Sequence, residues 1–483
     1  MSAPNRARMP PSRPSSTSVS ASSLARSSRR GPSGWFDPGQ RARINMALYV
    51  LQLSDIHFTT VVGDDTTVHD DVRRELVADV RVLRDRVGHP VQAVTITGDI
   101  AFSGQRTDYA LAAPWLDQII EACGCSHTSV LTVPGNHDVD RNRIRTSAKI
   151  LHRSLRQARP LQASKELAEL MTTGDPLLLD KLHDYRAFAA CYGTPFDSLS
   201  GPSWVRRFQL SGPYGLDIIG LSTVQVCDAE DAEGAMFLGS QQYVFERTPN
   251  IETVVLMHHP IQWLRDKTEA EPYLSTRAKV LIYGHEHVQT LKKEQMANGD
   301  ERLVLGSGAV TPEHASDPYI YRYNLLVFEH VQDHATHSLA VTIFPRIWSR
   351  NETKFKPDWD ALNGEQSVTF TLKSNQFGQQ PLAGAAARPA RAVLPLDIAV
   401  PCAPPSMLRH LFWRHLDWRA RINILLQMGI LPRAPEAPLP QNVEAEAIAE
   451  AEATDRLSEL WMLVVEHVPQ DLRPINPFAK GND

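Results

Sequence analysis

The chain has few cysteines, no long apolar run and no strong excess of charge of one sign. Its five cysteines among 483 residues are unevenly spaced, which argues against a disulfide framework and favours reduced thiols in the cytoplasm. No stretch contains the roughly 18 apolar residues that a membrane-spanning helix needs, so we expect no membrane segment. A formal net charge of −5 argues against a large basic surface for nucleic acid, although it permits a small basic site.

The N-terminal segment, residues 1–45, has Asp37 as its single acid, contains no lysine and is rich in serine, arginine and proline. Such a composition cannot bury a core. We predict that this segment is either disordered or an extension that precedes the true start at Met46, because Met46 opens the first apolar run. An organellar transit peptide has a similar composition and is the third alternative.

Six short apolar runs rich in β-branched residues recur along the chain, and each ends at a cluster of polar residues. Near-continuous apolar runs are typical of strands buried on both faces. Helical patterns at 72–87 and 109–123 separate the first three runs, and this alternation predicts a layered α/β domain. In open α/β sheets the site lies beyond the carboxyl ends of the strands, where the polar clusters fall. The runs are residues 47–55, 93–99, 130–138, 253–259, 279–287 and 302–309.

The rest of the chain divides by composition. Three helical patterns within 139–215 predict an insertion that either caps the site or packs on the flank of the sheet. Residues 375–405 are rich in alanine, proline, glycine and glutamine, which predicts a linker. Helical patterns at 407–431 and 443–468 predict a small all-α domain. The predicted organisation is an extension at 1–45, a main domain at 46–350 with its helical insertion at about 140–200, a tail and linker at 351–405, and a helical module at 406–475.

The polar clusters contain carboxylates, histidines and an asparagine, and no thiol. Such donors suit Mn²⁺, iron or Zn²⁺ better than a soft metal or an all-oxygen Ca²⁺ site. They are too many for one ion, whereas two ions about 3.5–4 Å apart that share one carboxylate would use them all. The candidates are Asp55, His57, Asp99, Asn136, His137, His258, His259, His285 and His287.

The order D-x-H, G-D, G-N-H-D, H and G-H-x-H over residues 47 to 330 resembles the signature of the calcineurin-like metallophosphoesterases. The resemblance implies a four-layer α/β/β/α sandwich, here with a helical insertion and a small all-α C-terminal domain. It also implies two divalent metal ions (Mn²⁺, Fe²⁺/Fe³⁺ or Zn²⁺) and hydrolysis of phosphoesters by a hydroxide that bridges them. The implied ligands are Asp55, His57 and His287 for the first metal, Asn136, His258 and His285 for the second, and Asp99 for both.

His137 matches the family histidine that contacts the phosphate and assists the leaving group, so His137 and Asp99 are the predicted catalytic residues. His258 is preferred to His259 because the family ligand is the first histidine of the pair that precedes the proline. Glu286 lies between two implied ligands and is predicted to point away from the metals.

One position departs from the family pattern. Protein phosphatases of this superfamily carry an aspartate in G-D-x-x-D-x-G that orients the histidine matching His137, and Phe102 stands at that position here. The departure favours the phosphodiesterase and nuclease-like branches, so we predict hydrolysis of a cyclic nucleotide or nucleic acid, with phosphomonoester hydrolysis as the alternative. Candidate substrate contacts are Arg141, Arg143 and Arg145 for a phosphate, and Trp204, Tyr214 and Trp263 for a base.

The C-terminal helical module resembles the small adaptor domains fused to effectors in bacterial conflict and signalling systems. This resemblance implies a protein partner recruited through helix contacts; a dimerisation bundle and a helical lid are the alternatives. A non-catalytic metallo-scaffold is the alternative to an enzyme, but scaffolds of this fold usually lose ligands, and every implied ligand is present. The predicted partners are a phosphoester substrate, nucleic acid as a substrate only, and a protein, with no membrane.

Overall fold

The computed structural model describes residues 47–379, with gaps at 64, 174, 193, 195, 197–201, 297–298, 313–319 and 363. Beyond them it describes residues 394–395 and, with further gaps, residues 408–478. The predicted N-terminal extension and most of the predicted linker at 375–405 lie outside the described residues. None of the described helices is both long and apolar enough to span a membrane.

Two seven-stranded sheets form the centre of the described chain, and all six predicted runs contain a strand. The strands are β1 (Leu48–Leu53), β2 (Ala93–Ile96), β3 (Val130–Thr132), β4 (Ser203–Gln209), β5 (Gly215–Leu221), β6 (Ile251–Leu256), β7 (Val280–Tyr283), β8 (Thr290–Gln295), β9 (Glu301–Gly306), β10 (Arg322–Asp333), β11 (Thr336–Ser349), β12 (Lys354–Pro357), β13 (Val368–Lys373) and β14 (Leu394–Pro395). The first sheet has the order β12-β11-β10-β1-β2-β3, with β13 also paired to β11, and the second has the order β14-β4-β5-β6-β7-β9-β8.

The helices lie between and after the strands along the chain. The longest, α1, repeats buried apolar residues at Val72, Leu76, Val80 and Leu83, which is the spacing of one helix face. The described helices are α1 (Thr66–Val87), α2 (Arg106–Cys123), α3 (Thr146–Gln157), α4 (Pro160–Thr173), α5 (Pro176–Leu179), α6 (His183–Cys191), α7 (Ser240–Tyr243), α8 (Lys267–Arg277), α9 (Trp418–Gln427) and α10 (Leu457–Val465).

The side chains of β1 show how the layers form. Leu48 and Val50 belong to a buried cluster that joins the facing sides of the two sheets. Leu51 and Leu53 point the other way, into the cluster that includes the apolar faces of α1 and α2, because successive side chains of a strand alternate between its faces. On the outer side of the second sheet, Leu274 of α8 joins the same cluster. The predicted four-layer α/β/β/α arrangement is therefore confirmed.

The first sheet continues past the predicted boundary at residue 350. Strands β12 and β13 fall in the segment that we predicted as a tail, and both pair antiparallel with the long strand β11. Leu372 of β13 is buried in the cluster between the sheets. Because β11 offers edge hydrogen bonds along its 14 residues, the two short strands cover it without an apolar run strong enough to be recognised in the sequence.

The helical insertion packs on the flank of the sheets. In α6, the ring of Phe188 stacks on Tyr109 of α2 with centroids 4.9 Å apart, and the hydroxyl of Tyr185 lies 3.0 Å from that of Thr132 in β3. In α4, the hydroxyl of Ser164 accepts a hydrogen bond from the N–H of Ser240, the first residue of α7. These contacts favour the flank over the cap among the two alternatives for the insertion.

Lys181, in the turn before α6, joins two loops that leave the carboxyl ends of strands. Its side chain is buried, and its Nζ donates to the carbonyl oxygens of Gln225 (2.7 Å) and Cys227 (2.9 Å), in the loop after β5. Its own carbonyl oxygen accepts from the N–H of Asp140 (2.8 Å), in the loop after β3. Burial lowers the pKa of Lys181 to about 8. Lys181 of the insertion therefore connects the loop after β5 to the loop after β3 through its hydrogen bonds.

Replacing Lys181 by methionine is expected to lower the free energy of unfolding by about 2–5 kcal/mol, because two buried carbonyl groups lose their donor. The measurement is the midpoint and slope of urea unfolding. The matched control is Lys165→Met, at an exposed position of α4, where we expect a change within about 0.5 kcal/mol. Equal midpoints for the two variants would show that the hydrogen bonds of Lys181 to the two loops do not stabilise the fold.

Candidate metal centre

The candidate ligands follow the ends of strands from both sheets. In the first sheet β1, β2 and β3 run parallel, and in the second β6 and β7 run parallel, so the carboxyl ends of each set lie at one edge. A hydrogen bond joins the two edges: His258 Nδ1 lies 2.8 Å from the carbonyl oxygen of Thr97. Asp55 and His57 follow β1, Asp99 follows β2, Asn136 and His137 follow β3, His258 and His259 follow β6, and His285 and His287 follow β7.

The first predicted set is Asp55, His57 and His287. One ligand atom from each of the three lies within 4.8 Å of the others. His287 Nε2 is 3.3 Å from Asp55 Oδ1. A single ion can therefore contact one carboxylate and two imidazoles here.

The second predicted set is Asn136, His258 and His285. Asn136 Oδ1 lies 2.9 Å from His258 Nε2 and 3.0 Å from His285 Nδ1. Asp99 stands between the two sets, because its Oδ2 lies 3.4 Å from His258 Nε2 and 3.9 Å from His57 Nε2. The structure thus brings all seven predicted ligands together, and their roles as ligands remain a prediction.

His259, which we set aside in favour of His258, also adjoins the second set. One ligand atom each of His258, His259 and His285 lies within 4.8 Å of the others. His259 Nδ1 is 2.7 Å from the hydroxyl of Thr223, and its buried Nε2 has no hydrogen-bond partner among the described residues. The sequence contained one signal of this, the paired histidines before Pro260.

Several polar atoms of the site are buried without a partner, and a cation would explain them. Asp55 Oδ2 and both ring nitrogens of His57 have no hydrogen bond among the described residues. Burying such atoms without partners costs free energy. Carboxylate and imidazole donors together suit Mn²⁺, iron or Zn²⁺. The residues present therefore fit a pair of divalent ions.

The backbone at the candidate ligands is strained. Non-glycine residues rarely adopt positive φ, and such conformations persist where the surrounding structure enforces them, often at functional sites. Five candidate ligands have positive φ: Asp55 (53°), His57 (51°), Asp99 (55°), His285 (70°) and His287 (55°).

Two glycines allow the strand ends to approach one another. A Cβ atom at Gly98, whose φ is 96°, would lie 2.4 Å from His258 Nδ1. A Cβ atom at Gly135 would lie 2.1 Å from Asp99 Oδ1. Because both distances are far below van der Waals contact, only glycine fits beside the candidate ligands.

Burial and neighbouring charges set the protonation of the site. Burial lowers the pKa of His57 to about 3 and that of His285 to about 4. Burial also acts to lower the pKa of His258, but the charge and hydrogen bond of Asp99, with smaller contributions from Asp55 and Thr97, together outweigh burial and raise that pKa to about 9. Burial acts to raise the pKa of Asp99, but the charge and hydrogen bond of His258, together with the charges of His57 and His137, bring that pKa well below its usual range. His57 and His285 are therefore neutral at neutral pH, the form of imidazole that binds metal ions.

His137 is oriented by the backbone of Phe102. Its Nδ1 lies 2.8 Å from the carbonyl oxygen of Phe102, and its own backbone N–H donates to Asp99 Oδ1 (2.8 Å). Because a carbonyl only accepts, Nδ1 carries the hydrogen, and Nε2 is left for other contacts. The orienting group that the sequence left open is therefore a backbone carbonyl, supplied by the residue that replaces the aspartate.

Asp138 holds the loop of His137, and the sequence reasoning missed it. Its carboxylate accepts hydrogen bonds from the N–H groups of Ala101 and Gly135, each at 3.0 Å, and from the hydroxyl of Tyr109 at 2.9 Å. Burial raises the pKa of Asp138 to about 6. The available signal was its place as the last residue of G-N-H-D.

Two of the three candidate arginines form ion pairs with acidic side chains. Asp180 lies 3.6 Å from the guanidinium of Arg143 and 3.7 Å from that of Arg145. Arg143 also pairs with Asp140 at 3.6 Å. Arg141 is exposed to solvent. The ion pairs favour a structural role for Arg143 and Arg145.

One of the three candidate aromatic residues adjoins the metal-ligand set. The ring of Trp263 lies 4.1 Å from that of His285, at an interplanar angle of 80°. Trp204 is buried and donates through its ring N–H to the carbonyl oxygen of Thr132 (2.8 Å). Tyr214 stacks on His330 with centroids 3.9 Å apart. Trp204 therefore lies in the core, and Tyr214 packs against His330, which is not a candidate metal ligand.

Both the main domain and the C-terminal module match known protein families. Residues 48–289 match the family described as calcineurin-like phosphoesterase, and residues 406–466 match that described as GTPase-associated adaptor domain. An uncharacterized metallophosphoesterase-like protein of Bacillus subtilis, YydB, is 22% identical over 320 residues, which cover 63% of this chain. The chain spans 62% of the length of this relative.

Solved structures also show similarity, at low identity. A variant of Vps29 from Entamoeba histolytica is 12% identical, with 68% of this chain and 100% of that chain covered and a TM-score of 0.27. The NAD nucleotidase of Haemophilus influenzae is 12% identical, with coverage of 67% and 57% and a TM-score of 0.30. The purple acid phosphatase PPD1 of yellow lupin, Lupinus luteus, is 12% identical, with coverage of 69% and 55% and a TM-score of 0.33.

Proposed function

The chain belongs to the calcineurin-like phosphoesterase family, and on this premise we propose that it hydrolyses phosphodiesters with two divalent metal ions. The observation that supports the proposal is the convergence of carboxylate, amide and imidazole groups on Asp99, with buried polar atoms that lack partners among the described residues. The proposed substrates are a cyclic nucleotide or a nucleic acid, and the proposed ions are Mn²⁺, iron or Zn²⁺.

The proposed ligands form two sets, one for each metal ion, and Asp99 belongs to both. When bound, two divalent ions supply positive charge to the phosphate and lower the pKa of water towards neutrality. Asp55 and Asp99 offset only part of that charge, so the site retains its attraction for an anionic phosphate. Asp55, His57 and His287 would hold one ion, Asn136, His258 and His285 the other, and Asp99 both.

His137 is the proposed general acid. The carbonyl of Phe102 holds its Nδ1–H, so the ring presents Nε2 as the atom that delivers a proton to the leaving oxygen. The hydrogen bond from its backbone N–H to Asp99 keeps it beside the proposed bridging ligand. A fixed ring reduces the reorientation that proton transfer requires.

The diester is favoured over the monoester by charge. A phosphomonoester carries a second negative charge, which is commonly met by arginine. Of the three candidates for this role, Arg143 and Arg145 are paired with Asp180, and Arg141 is exposed to solvent. A diester carries a single negative charge and so needs no such additional cation.

With Mn²⁺ added, the purified protein is expected to hydrolyse bis(p-nitrophenyl) phosphate with a higher kcat/KM than p-nitrophenyl phosphate. The measurement is the release of nitrophenolate from each ester at equal metal content. The reverse preference would support the phosphomonoesterase alternative. Two bound ions per chain with no hydrolysis of either ester would instead support the non-catalytic scaffold.

The C-terminal module is proposed to recruit a protein partner, since residues 406–466 match an adaptor domain. Its described residues form a buried cluster of their own, in which Trp461 and Val464 of α10 pack with Leu425 of α9. The cytoplasm is the proposed compartment.

A further inference from the structure

The side chain of Phe102 stands beside the proposed general acid with 49% of its surface exposed. Its backbone is held at both ends, because its N–H donates to the carbonyl oxygen of Phe58 (2.9 Å) and its carbonyl accepts from His137 Nδ1 (2.8 Å). The ring centroid of Phe102 lies 5.1 Å from that of His137 and 6.1 Å from that of His57. The main chain of Phe102 therefore has a fixed place at the edge of the site, with the ring beside His137.

The loop after Phe58 also exposes apolar side chains. Phe58 pairs with Ala101 in an isolated bridge, and the loop that continues from Phe58 exposes 70% of Val61 and 85% of Val62. Single exposed apolar side chains are ordinary on protein surfaces. Phe102 differs from such residues because its ring touches the group that would handle the leaving oxygen.

The position of Phe102 relative to His137 identifies what would contact the ring. Hydrolysis bonds the oxygen of one water to phosphorus, releases one proton of that water to solvent, and breaks the bond from phosphorus to the leaving oxygen. The leaving oxygen takes its proton from Nε2 of His137 in the imidazolium form. The group attached to that oxygen must then lie alongside the imidazole. With the rings only 5.1 Å apart, a flat leaving group beside His137 also lies against Phe102.

We propose that the ring of Phe102 is the platform for the leaving group, and that the substrates are phosphodiesters whose leaving group carries a flat aromatic ring, as a nucleoside does in its base. The inference rests on the proposed function and deepens it by naming the substrate class. Aromatic rings stack on bases and on one another in offset or edge-on arrangements that gain binding beyond the area buried. Phe102 thus has two roles, since its carbonyl positions His137 and its ring selects the substrate.

The test compares methyl phenyl phosphate with methyl hexafluoroisopropyl phosphate, whose leaving groups have similar acidity but differ in shape. Phe102→Ala is expected to lower kcat/KM for the phenyl ester about 3- to 10-fold, the size of an aromatic contact, and to change that for the fluoroalkyl ester less than about 2-fold. Phe102→Trp is expected to retain the preference for the phenyl ester. The carbonyl that orients His137 is present in every variant, so the pH–rate profile should not move.

Val62→Ala is the control for loss of an exposed apolar side chain, and it should leave both esters unchanged. Equal losses for the two esters in Phe102→Ala would overturn the proposal, because the ring would then act on His137 or on the fold. No loss for either ester would also overturn it, because the ring would then not contact the leaving group. Wild-type protein that binds two metals and cleaves neither ester would overturn the proposed function itself, and the inference with it.

Discussion

Asp99→Asn is expected to lower kcat/KM for a phosphodiester by about 10³-fold or more, the largest effect of any single substitution in the site. Losing one preorganised electrostatic group in an active site costs about 10²–10³-fold by itself. Asp99 lies between both predicted ligand sets, with Oδ2 at 3.4 Å from His258 Nε2 and 3.9 Å from His57 Nε2. The neutral amide removes the negative charge that both ions would share, so the loss should exceed that range.

The measurement pairs hydrolysis with the number of metal ions per chain, which should fall below two in Asp99→Asn. The matched control is Glu286→Gln, since Glu286 is an exposed acid between two candidate ligands. It removes the same charge from the same region and should leave both metal content and hydrolysis near the wild-type values. If the two variants behaved alike, Asp99 would not be the shared ligand.

His137→Asn is expected to lower kcat/KM for methyl phenyl phosphate by about 10²–10³-fold while the metal content stays unchanged. General acid catalysis contributes about 10²–10⁴-fold, and the backbone N–H that contacts Asp99 survives the substitution. The loss should be smaller for bis(p-nitrophenyl) phosphate, because nitrophenolate leaves without needing a proton. The measurement is therefore the ratio of the two losses.

His334→Asn is the control, because the side chain of His334 is 96% exposed. We expect no change in hydrolysis of either ester. Loss of metal ions from His137→Asn would show that His137 binds a metal rather than the leaving group. Equal losses for the phenyl and nitrophenyl esters would also refute its role as a proton donor.

Metal content and hydrolysis rate together distinguish Asp99→Asn from His137→Asn. Asp99→Asn is expected to change metal content and rate together, whereas His137→Asn is expected to change the rate alone. Phe102→Ala should change only the preference among leaving groups. Hydrogen bonds of 2.8 Å link His137 to Asp99 and to Phe102. Distinct outcomes for the three variants would therefore separate metal binding, proton transfer and leaving-group contact among residues that touch one another.

The sequence determined most about the strand ends. Asp55, His57 and Asp99 could be placed together in advance, because apolar runs predict strands and the carboxyl ends of parallel strands meet at one edge. The G-H-E-H motif placed His285 and His287 in the same way. The alternation of the runs with helical patterns predicted a layered α/β domain, and the resemblance to the calcineurin-like metallophosphoesterases implied the four-layer order.

Only the tertiary structure decided how the site is held. Any residue at position 102 offers a carbonyl, so residue type carried no signal that Phe102 would orient His137. Lys181 reaches carbonyl groups 44 and 46 residues away in the chain, and no local pattern predicts such contacts. The pairing of β12 and β13 with β11 likewise depends on edge hydrogen bonds, which are made by backbone and are therefore nearly independent of residue type.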